Sequence, residues 1–365
     1  MQRAKAIATL AVVLSILGGL SVWGLAAPDQ AISAAERRPL AQAPAATAES
    51  LFSGDYMSGL ETYLLDQFPL RDAWRAGNAA MRLYFLRQKD DHGIYLREGS
   101  AVKLEYPLKE EQVRYAANKI REVREKYLQG MNVYYALVPD KGYYAAEAGG
   151  YPHMDYDRLL EILQETLGAP CVDLFSMLEL GDYYRTDVHW RQEALLPAAQ
   201  ALADAMGLGT ELLPAGGYRA RTLSPFRGVY FSQTALPLVP DALTYLTSPA
   251  IEAASMTSAE TGGTLPVYTV DRFDGGDGYD VFAAGPQAIL TIESPQAQTD
   301  RELVIFRDSF GSSLAPLFLE GYRRVTLIDL RYVSSQVLDR FVTFSDQDVL
   351  FLYSTTLLNS GMLLK

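Results

Sequence analysis

Apolar residues recur at helical spacing from Ser53 to Phe68 and from Arg71 to Arg87. Leu60, Tyr63, Leu64 and Phe68, then Trp74, Met81, Tyr84 and Phe85, form the stripes, and Pro69 breaks them. Ile94-Tyr95-Leu96 is the clearest strand of a hairpin-like stretch. Lys109 to Tyr127 predicts a charged helix with Val113, Ala116, Ala117 and Ile120 inward, stopped by Gly130. Val133–Val138 is a buried strand closed by Pro139, Tyr156–Leu167 a helix stopped by Gly168, and Val172-Asp173-Leu174 a short strand. A helix is expected from Arg191 to Met206. Residues 209–299 are Gly-, Pro- and Thr-rich with short β-like pieces such as Val267-Tyr268-Thr269-Val270, which predicts a β-rich insertion beside the sheet. Leu303–Phe306, Val325–Ile328 and Val349–Tyr353 then read as strands, with helices over Ser312–Leu319 and Ser335–Phe341 between them. This alternation predicts an α/β fold with a parallel sheet flanked by helices.

The amino terminus has a different pattern. Arg3 and Lys5 precede an uncharged stretch from Ala6 to Ala27, long enough to cross a bilayer as a helix. Residues 1–27 are therefore expected to be a signal anchor, or a cleaved signal peptide, given the small residues Leu25-Ala26-Ala27. Both readings place the rest of the chain outside the cytoplasm, tied to the membrane or secreted. Residues 28–50, rich in Ala, Pro and Gln without periodicity, read as a flexible tether. The folded domain is expected over 51–365.

Composition narrows the function. A net charge of −12 without a basic cluster argues against nucleic-acid binding, which needs clustered Lys and Arg. One cysteine, Cys171, excludes an internal disulfide; its apolar neighbours predict a buried small hydrophobe. Three histidines with that one cysteine do not make a zinc site. Asp274-Gly275-Gly276-Asp277-Gly278 lacks an EF-hand pattern and reads as a turn.

Two stretches carry candidate chemistry. Arg307-Asp308-Ser309-Phe310-Gly311 follows the strand Leu303–Phe306, so Ser309 lies where a buried strand breaks into a helix, at the end of an α/β sheet where ligands bind. A serine there is either a helix N-cap or a nucleophile. Asp187-Val188-His189 sits at a loop-to-helix junction, followed by Trp190. In an extended segment positions i and i+2 point the same way, so Asp187 can orient the His189 imidazole as a general base; alternatively the pair is a helix cap. Together the two stretches supply the nucleophile, base and acid of a serine acyl transfer.

Arg185-Thr186-Asp187-Val188-His189-Trp190 resembles the signature of the DHHW family of bacterial exported proteins. The resemblance extends to Asp66-Gln67-Phe68-Pro69-Leu70-Arg71-Asp72, His92-Gly93-Ile94-Tyr95-Leu96, Leu137-Val138-Pro139-Asp140-Lys141, Arg307–Gly311 and Ile328-Asp329-Leu330-Arg331-Tyr332. That family is similar to the SGNH-hydrolase-like alginate O-acetyltransferases, in which Asp-x-His precedes the serine. The resemblance implies an SGNH-hydrolase-like fold, with Ser309 as nucleophile, His189 as base and Asp187 as its orienter. Asp308 and Trp190 are expected in support. Val188 stands where the family name has its first histidine. Arg307 stands where SGNH enzymes usually carry glycine, so the oxyanion hole is expected on the backbone N–H groups of Ser309 and Gly311; Asn359 is a guessed side-chain donor.

The implied activity is extracytoplasmic O-acyl transfer, with acetyl the expected group, or ester hydrolysis on a cell-surface or secreted polysaccharide. No diffusible cofactor or metal is required. A membrane-bound O-acyltransferase is the implied partner, supplying acyl groups across the membrane. Val188 and Arg307 favour the alternative of a catalytically inactive glycan-binding or assembly protein of the cell envelope. His92 and His153 read as surface histidines, and Tyr143-Tyr144 and Tyr183-Tyr184 as packing residues able to stack on sugars. Lys141 and Arg331, after strand ends, are candidates for an anionic substrate or for plain ion pairs.

Overall fold

The computed structural model describes residues 2–33, 35–36, 38–236, 238–273 and 277–365. They gather into two units, residues 1–92 with 231–237 and residues 93–230 with 238–365.

The second unit is built on an eight-stranded sheet. Its strands are β1 (Asn132–Val138), β2 (Cys171–Val172), β3 (Ser255–Ser258), β4 (Thr264–Leu265), β5 (Ile289–Glu293), β6 (Glu302–Arg307), β7 (Arg324–Ile328) and β8 (Asp348–Ser354), in the order β4-β3-β5-β7-β6-β8-β1-β2. Pairing is parallel from β7 to β2. On the other side β5, β3 and β4 join antiparallel.

Both faces of the central strands are covered, which is why they read as continuous β-branched and aromatic runs. Ala136, Val138, Leu303, Ile305, Leu350 and Leu352 enter one core with Ala198, Ala199 and Leu202 of the helix Leu196–Ala205. Their alternates Val133, Tyr135, Val304, Phe306, Val349 and Phe351 enter the other, under the helices Glu110–Tyr127 and Tyr156–Leu167. Register stacks the large residues: Phe306 pairs opposite Phe351, and their rings lie 4.6 Å apart.

Four expectations change in this unit. The β-rich stretch does not simply lie beside the sheet, because β3, β4 and β5 extend it; Arg219–Phe226 and Asp241–Thr247 pair separately. Val267–Val270 is no strand. Tyr268 makes an isolated bridge to Phe282, and a 3-10 turn begins at Val270. The helix expected from Arg191 starts as a 3-10 turn (Gln192–Ala194) and becomes α-helical at Leu196, where Pro197 fits the N-terminal turn that needs no N–H. Cys171 is exposed, not buried; it lies on β2, a two-residue strand at the edge of the sheet. Of the expected turn at 274–278, residues 274–276 lie outside the described residues; Asp277 accepts a hydrogen bond from the Tyr279 N–H.

The first unit holds α1 (Gln2–Ala26), α2 (Ala48–Ser53), α3 (Asp55–Asp66) and α4 (Arg71–Ala80). Within α1, Arg3–Gly24 has a mean hydropathy of 2.1 and is long and apolar enough to cross a membrane. Gly54, at φ 88°, separates α2 from α3, so the helix expected from Ser53 is split there. The apolar stripes do not face a core: Leu64, Trp74 and Phe85 are 50%, 56% and 79% exposed.

The tether expected over 28–50 is also corrected, since polar clamps fix much of it. Arg38 donates to both carboxylate oxygens of Asp66, at 2.9 and 2.6 Å, and the Ala41 N–H donates to Oδ2 at 2.8 Å. Gln67 accepts from the Gln30 N–H and donates to the Gln30 carbonyl. The bond from Arg38 holds the Asp66 carboxyl well below the usual carboxylate range, so this clamp persists at pH 4 and is lost only as the pH falls further. Asp66→Ala is expected to expose residues 29–42 to proteinase K at lower protease concentration than in the parent chain. Mass spectrometry of the first fragments checks this; an unchanged cleavage pattern contradicts it.

Candidate active site

β6 ends at Arg307 and the chain turns through Asp308 and Ser309 into the short helix Phe310–Leu314. The Asp308 carboxylate fixes the turn, accepting from the Phe310 N–H at 3.1 Å and from the Ser354 N–H, at the end of neighbouring β8, at 2.8 Å. Ser309 has helical backbone angles and its side chain makes no capping bond, so it is not the N-cap donor-acceptor that a strand-to-helix serine usually is. Its hydroxyl projects from a half-buried position.

Gly311 departs from its expected role. Its N–H donates to the Asp308 carbonyl at 3.1 Å and is therefore engaged within the turn rather than offered to an oxyanion. Glycine is required there for another reason: a Cβ would stand 2.6 Å from the Cβ of Arg307, so only glycine lets the helix fold back on the strand end. The Ser309 N–H is taken by neither of the Asp308 acceptors that hold its two successors.

The second stretch is a loop closed by a bridge between Tyr183 and Trp190. Asp241 receives the backbone N–H groups of Arg185 and Thr186 at 3.0 and 2.8 Å and the Thr186 hydroxyl at 2.6 Å. Gly228 lies against the loop's other side, where a Cβ would come within 2.3 Å of the Asp187 Cβ. Lys141 enters from the end of β1. It is buried and among the described residues makes no ion pair; its Nζ donates to the carbonyls of Tyr184 (2.8 Å), Arg185 (3.3 Å) and Asp187 (3.1 Å). Burial pulls its pKa down to about 7, while the charges of Asp187 and Asp241 act in the opposite direction.

These supports bring the two stretches together. The His189 Nε2 lies 2.7 Å from Ser309 Oγ, and its Nδ1 lies 2.6 Å from Asp187 Oδ1. Asp187 Oδ1 also accepts the His189 N–H, and Oδ2 accepts the Val229 N–H at 2.7 Å. Burial would raise the Asp187 carboxyl, but the imidazole and these N–H bonds outweigh it and hold the pKa at about 2. A carboxylate-only acceptor at Nδ1 assigns the proton to that nitrogen and leaves the Nε2 lone pair facing the Ser309 hydroxyl.

Tyr279, which nothing in the sequence pattern distinguished, stacks face to face on the imidazole with centroids 3.7 Å apart and planes 5° apart. Its hydroxyl donates to Ser313 Oγ at 2.7 Å. Trp190 joins the same network: Nε1 donates to Ser313 Oγ (2.9 Å) and to the Phe310 carbonyl (3.2 Å), tying the loop to the serine-bearing helix.

The remaining candidates lie elsewhere. Asn359 is buried, receiving the Lys109 N–H and donating to the Pro107 carbonyl, so its side chain is engaged away from the serine. Arg307 is buried with Nη1 3.6 Å from Asp329, which also holds Arg331 at 2.6 Å. Val188 packs against the core. His92 and His153 are exposed, Tyr143 packs edge-on to Tyr144 and Phe175, and Tyr183 donates to the Pro139 carbonyl. Among the described residues no three His, Cys, Asp or Glu side chains converge as a metal site.

Lys141→Met leaves the buried Tyr184 and Asp187 carbonyls without this donor, while the Arg185 carbonyl keeps the Ala101 N–H, and urea unfolding should show a loss of about 2 kcal/mol, at 1–3 kcal/mol per unmet group with partial repair by water. Gly311→Ala should cost about 1–3 kcal/mol through the clash with Arg307. Parent-like unfolding midpoints in both variants would show that neither contact matters.

Residues 94–261 match the family described as ALGX: SGNH hydrolase-like domain, acetyltransferase AlgX, a span that holds Asp187 and His189 and ends before Ser309. No curated protein sequence is significantly similar to the chain. Among solved structures, a DHHW family protein from Eubacterium siraeum DSM 15702 superposes with a TM-score of 0.60 at 22% identity, covering 75% of this chain and 95% of that one. Bacillus cereus PatB1 superposes at 0.57 with 18% identity, covering 74% and 98%, and PatB1 with a sulfonyl adduct at 0.56. At these identities the likeness is one of fold. Over residues 94–261 the chain is similar to the SGNH hydrolase-like domain of the ALGX family, and its mixed α/β fold is the one seen in the DHHW protein and PatB1.

Proposed function

We propose that the chain is an extracytoplasmic O-acyltransferase, moving acetyl groups onto or off a cell-surface or secreted polysaccharide through Ser309, His189 and Asp187. The observation that carries this reading is the unbroken chain of contacts from Asp187 through the imidazole to the Ser309 hydroxyl, at 2.6 and 2.7 Å. The domain match to a family described as acetyltransferase AlgX supports the acyl class, and α1 supports attachment to a membrane with the domain outside the cytoplasm.

In this reading His189 Nε2 accepts the Ser309 proton as Oγ attacks the acyl carbonyl. The oxyanion is assigned in this reading to the Ser309 N–H as backbone donor. Collapse of the tetrahedral adduct expels the donor's oxygen, which takes the proton back from Nε2, and an acyl-serine ester remains. A sugar hydroxyl then attacks that ester, giving its proton to Nε2, and the adduct collapses to release Ser309 with its proton restored. Water in place of the sugar gives hydrolysis. Asp187 holds the ring and stabilises the imidazolium, and because its pKa lies near 2 it stays ionised across the working range of a neutral-pH enzyme. A membrane-bound O-acyltransferase is the partner that would deliver acyl groups, since acyl donors are made inside the cell.

Two variants test the reading with p-nitrophenyl acetate and an acetylated oligosaccharide. Ser309→Ala is expected to abolish turnover above background. Asp187→Asn, which keeps the shape but removes the charge, should lower kcat on the order of 10⁴-fold. Undiminished turnover in Ser309→Ala would remove the acyl-enzyme reading.

A further inference from the structure

The first unit carries an apolar face that the acyl-transfer site does not use. Leu64, Leu65, Phe68, Leu70 and Trp74, at the corner between α3 and α4, are between 40% and 62% exposed. Large apolar side chains left exposed this close together in sequence point to a surface that meets another phase or partner. Its position in the unit says which. Gly24, at the end of the apolar span of α1, lies against the corner: a Cβ there would be 3.3 Å from Pro69 Cδ. Trp23, Ala27 and Pro28 share one cavity with Phe68, Pro69 and Leu70. Just past the span, Tyr63 donates to Asp29 at 2.9 Å and Gln67 is bonded to Gln30. The corner is thus fastened at the level where α1 would leave a bilayer.

We propose that this corner rests on the lipid bilayer that receives α1, with Phe68, Leu70 and Trp74 at the boundary between headgroups and acyl chains. Aromatic residues favour that boundary, where an apolar ring and a polar edge are both accommodated. The nearby charges fit the placement. Asp66, Arg71 and Arg75 are paired with Arg38 and Glu36 of the preceding segment. Asp72, with its side chain 60% exposed and its carboxylate 3.9 Å from Arg75, would set the corner at headgroup depth instead of deeper. Membrane contact here would hold the chain by a surface as well as by a single helix.

The inference rests on reading α1 as a membrane anchor, and one experiment separates the two. The full chain is reconstituted in phosphatidylcholine vesicles whose acyl chains carry bromine near the headgroup, and tryptophan fluorescence is compared with that in unbrominated vesicles. The chain has three tryptophans, and Trp190 is fully buried in the other unit. In Trp23→Phe the remaining quenching reports Trp74, and in Trp74→Phe it reports Trp23. The expected result is quenching in both single variants and its loss in the double variant. Quenching in Trp74→Phe alone overturns the docking of the corner and leaves the anchor standing. Quenching in neither overturns both.

Discussion

The hydrogen bond between His189 Nε2 and Ser309 Oγ joins positions 120 residues apart, and it exists only because each end is immobilised separately. The imidazole is held by a carboxylate on one nitrogen, a tyrosine ring across its face and a loop pinned through its carbonyls by Lys141. The hydroxyl is held by a turn whose N–H groups are gathered by Asp308. Trp190 and Ser313 then lock the two supports to each other. In the proposed acyl transfer this hydrogen bond would reform on each proton transfer and would need such rigidity, since a displacement of an ångström at either end removes the overlap that general-base action requires.

The sheet was legible because its strands are buried on both faces. Leu303–Phe306 and Val349–Tyr353 read as continuous apolar runs, and the structure lengthens them only by an end residue or two. The pair of Asp187 and His189 was legible from i, i+2 spacing, and Ser309 from its place after a strand. Tyr279, Asp241 and Gly228 were not, because each meets the site across a long stretch of chain and carries no local pattern. Lys141 reads as a candidate for an anionic substrate or a plain ion pair, since lysine after a strand end usually faces solvent. Three converging carbonyls reverse that expectation, because together they satisfy all of its donors inside the fold. Gly311 departs from its expected role for a related reason: its N–H follows the serine closely in the chain, but the turn itself supplies the acceptor.

The first unit shows the limit of periodicity in the opposite direction. Leu64, Phe68 and Trp74 fall on clean helical stripes, yet those stripes face outward, while polar residues such as Asp66 and Gln67 make the internal contacts. Spacing identifies an amphipathic helix but not the phase its apolar side meets. Beside a helix apolar enough to span a membrane, a lipid phase is the natural candidate, whereas the same stripe in Glu110–Tyr127 covers a sheet.

The most direct test of the central claim is covalent trapping of the activated hydroxyl. On incubation with a sulfonyl fluoride, the intact chain should gain the mass of one sulfonyl group, peptide mapping should place it on Ser309, and His189→Ala should abolish the reaction. No adduct in the parent chain, an adduct on another residue, or labelling of Ser309 that persists without the imidazole would contradict an account in which His189 activates this serine.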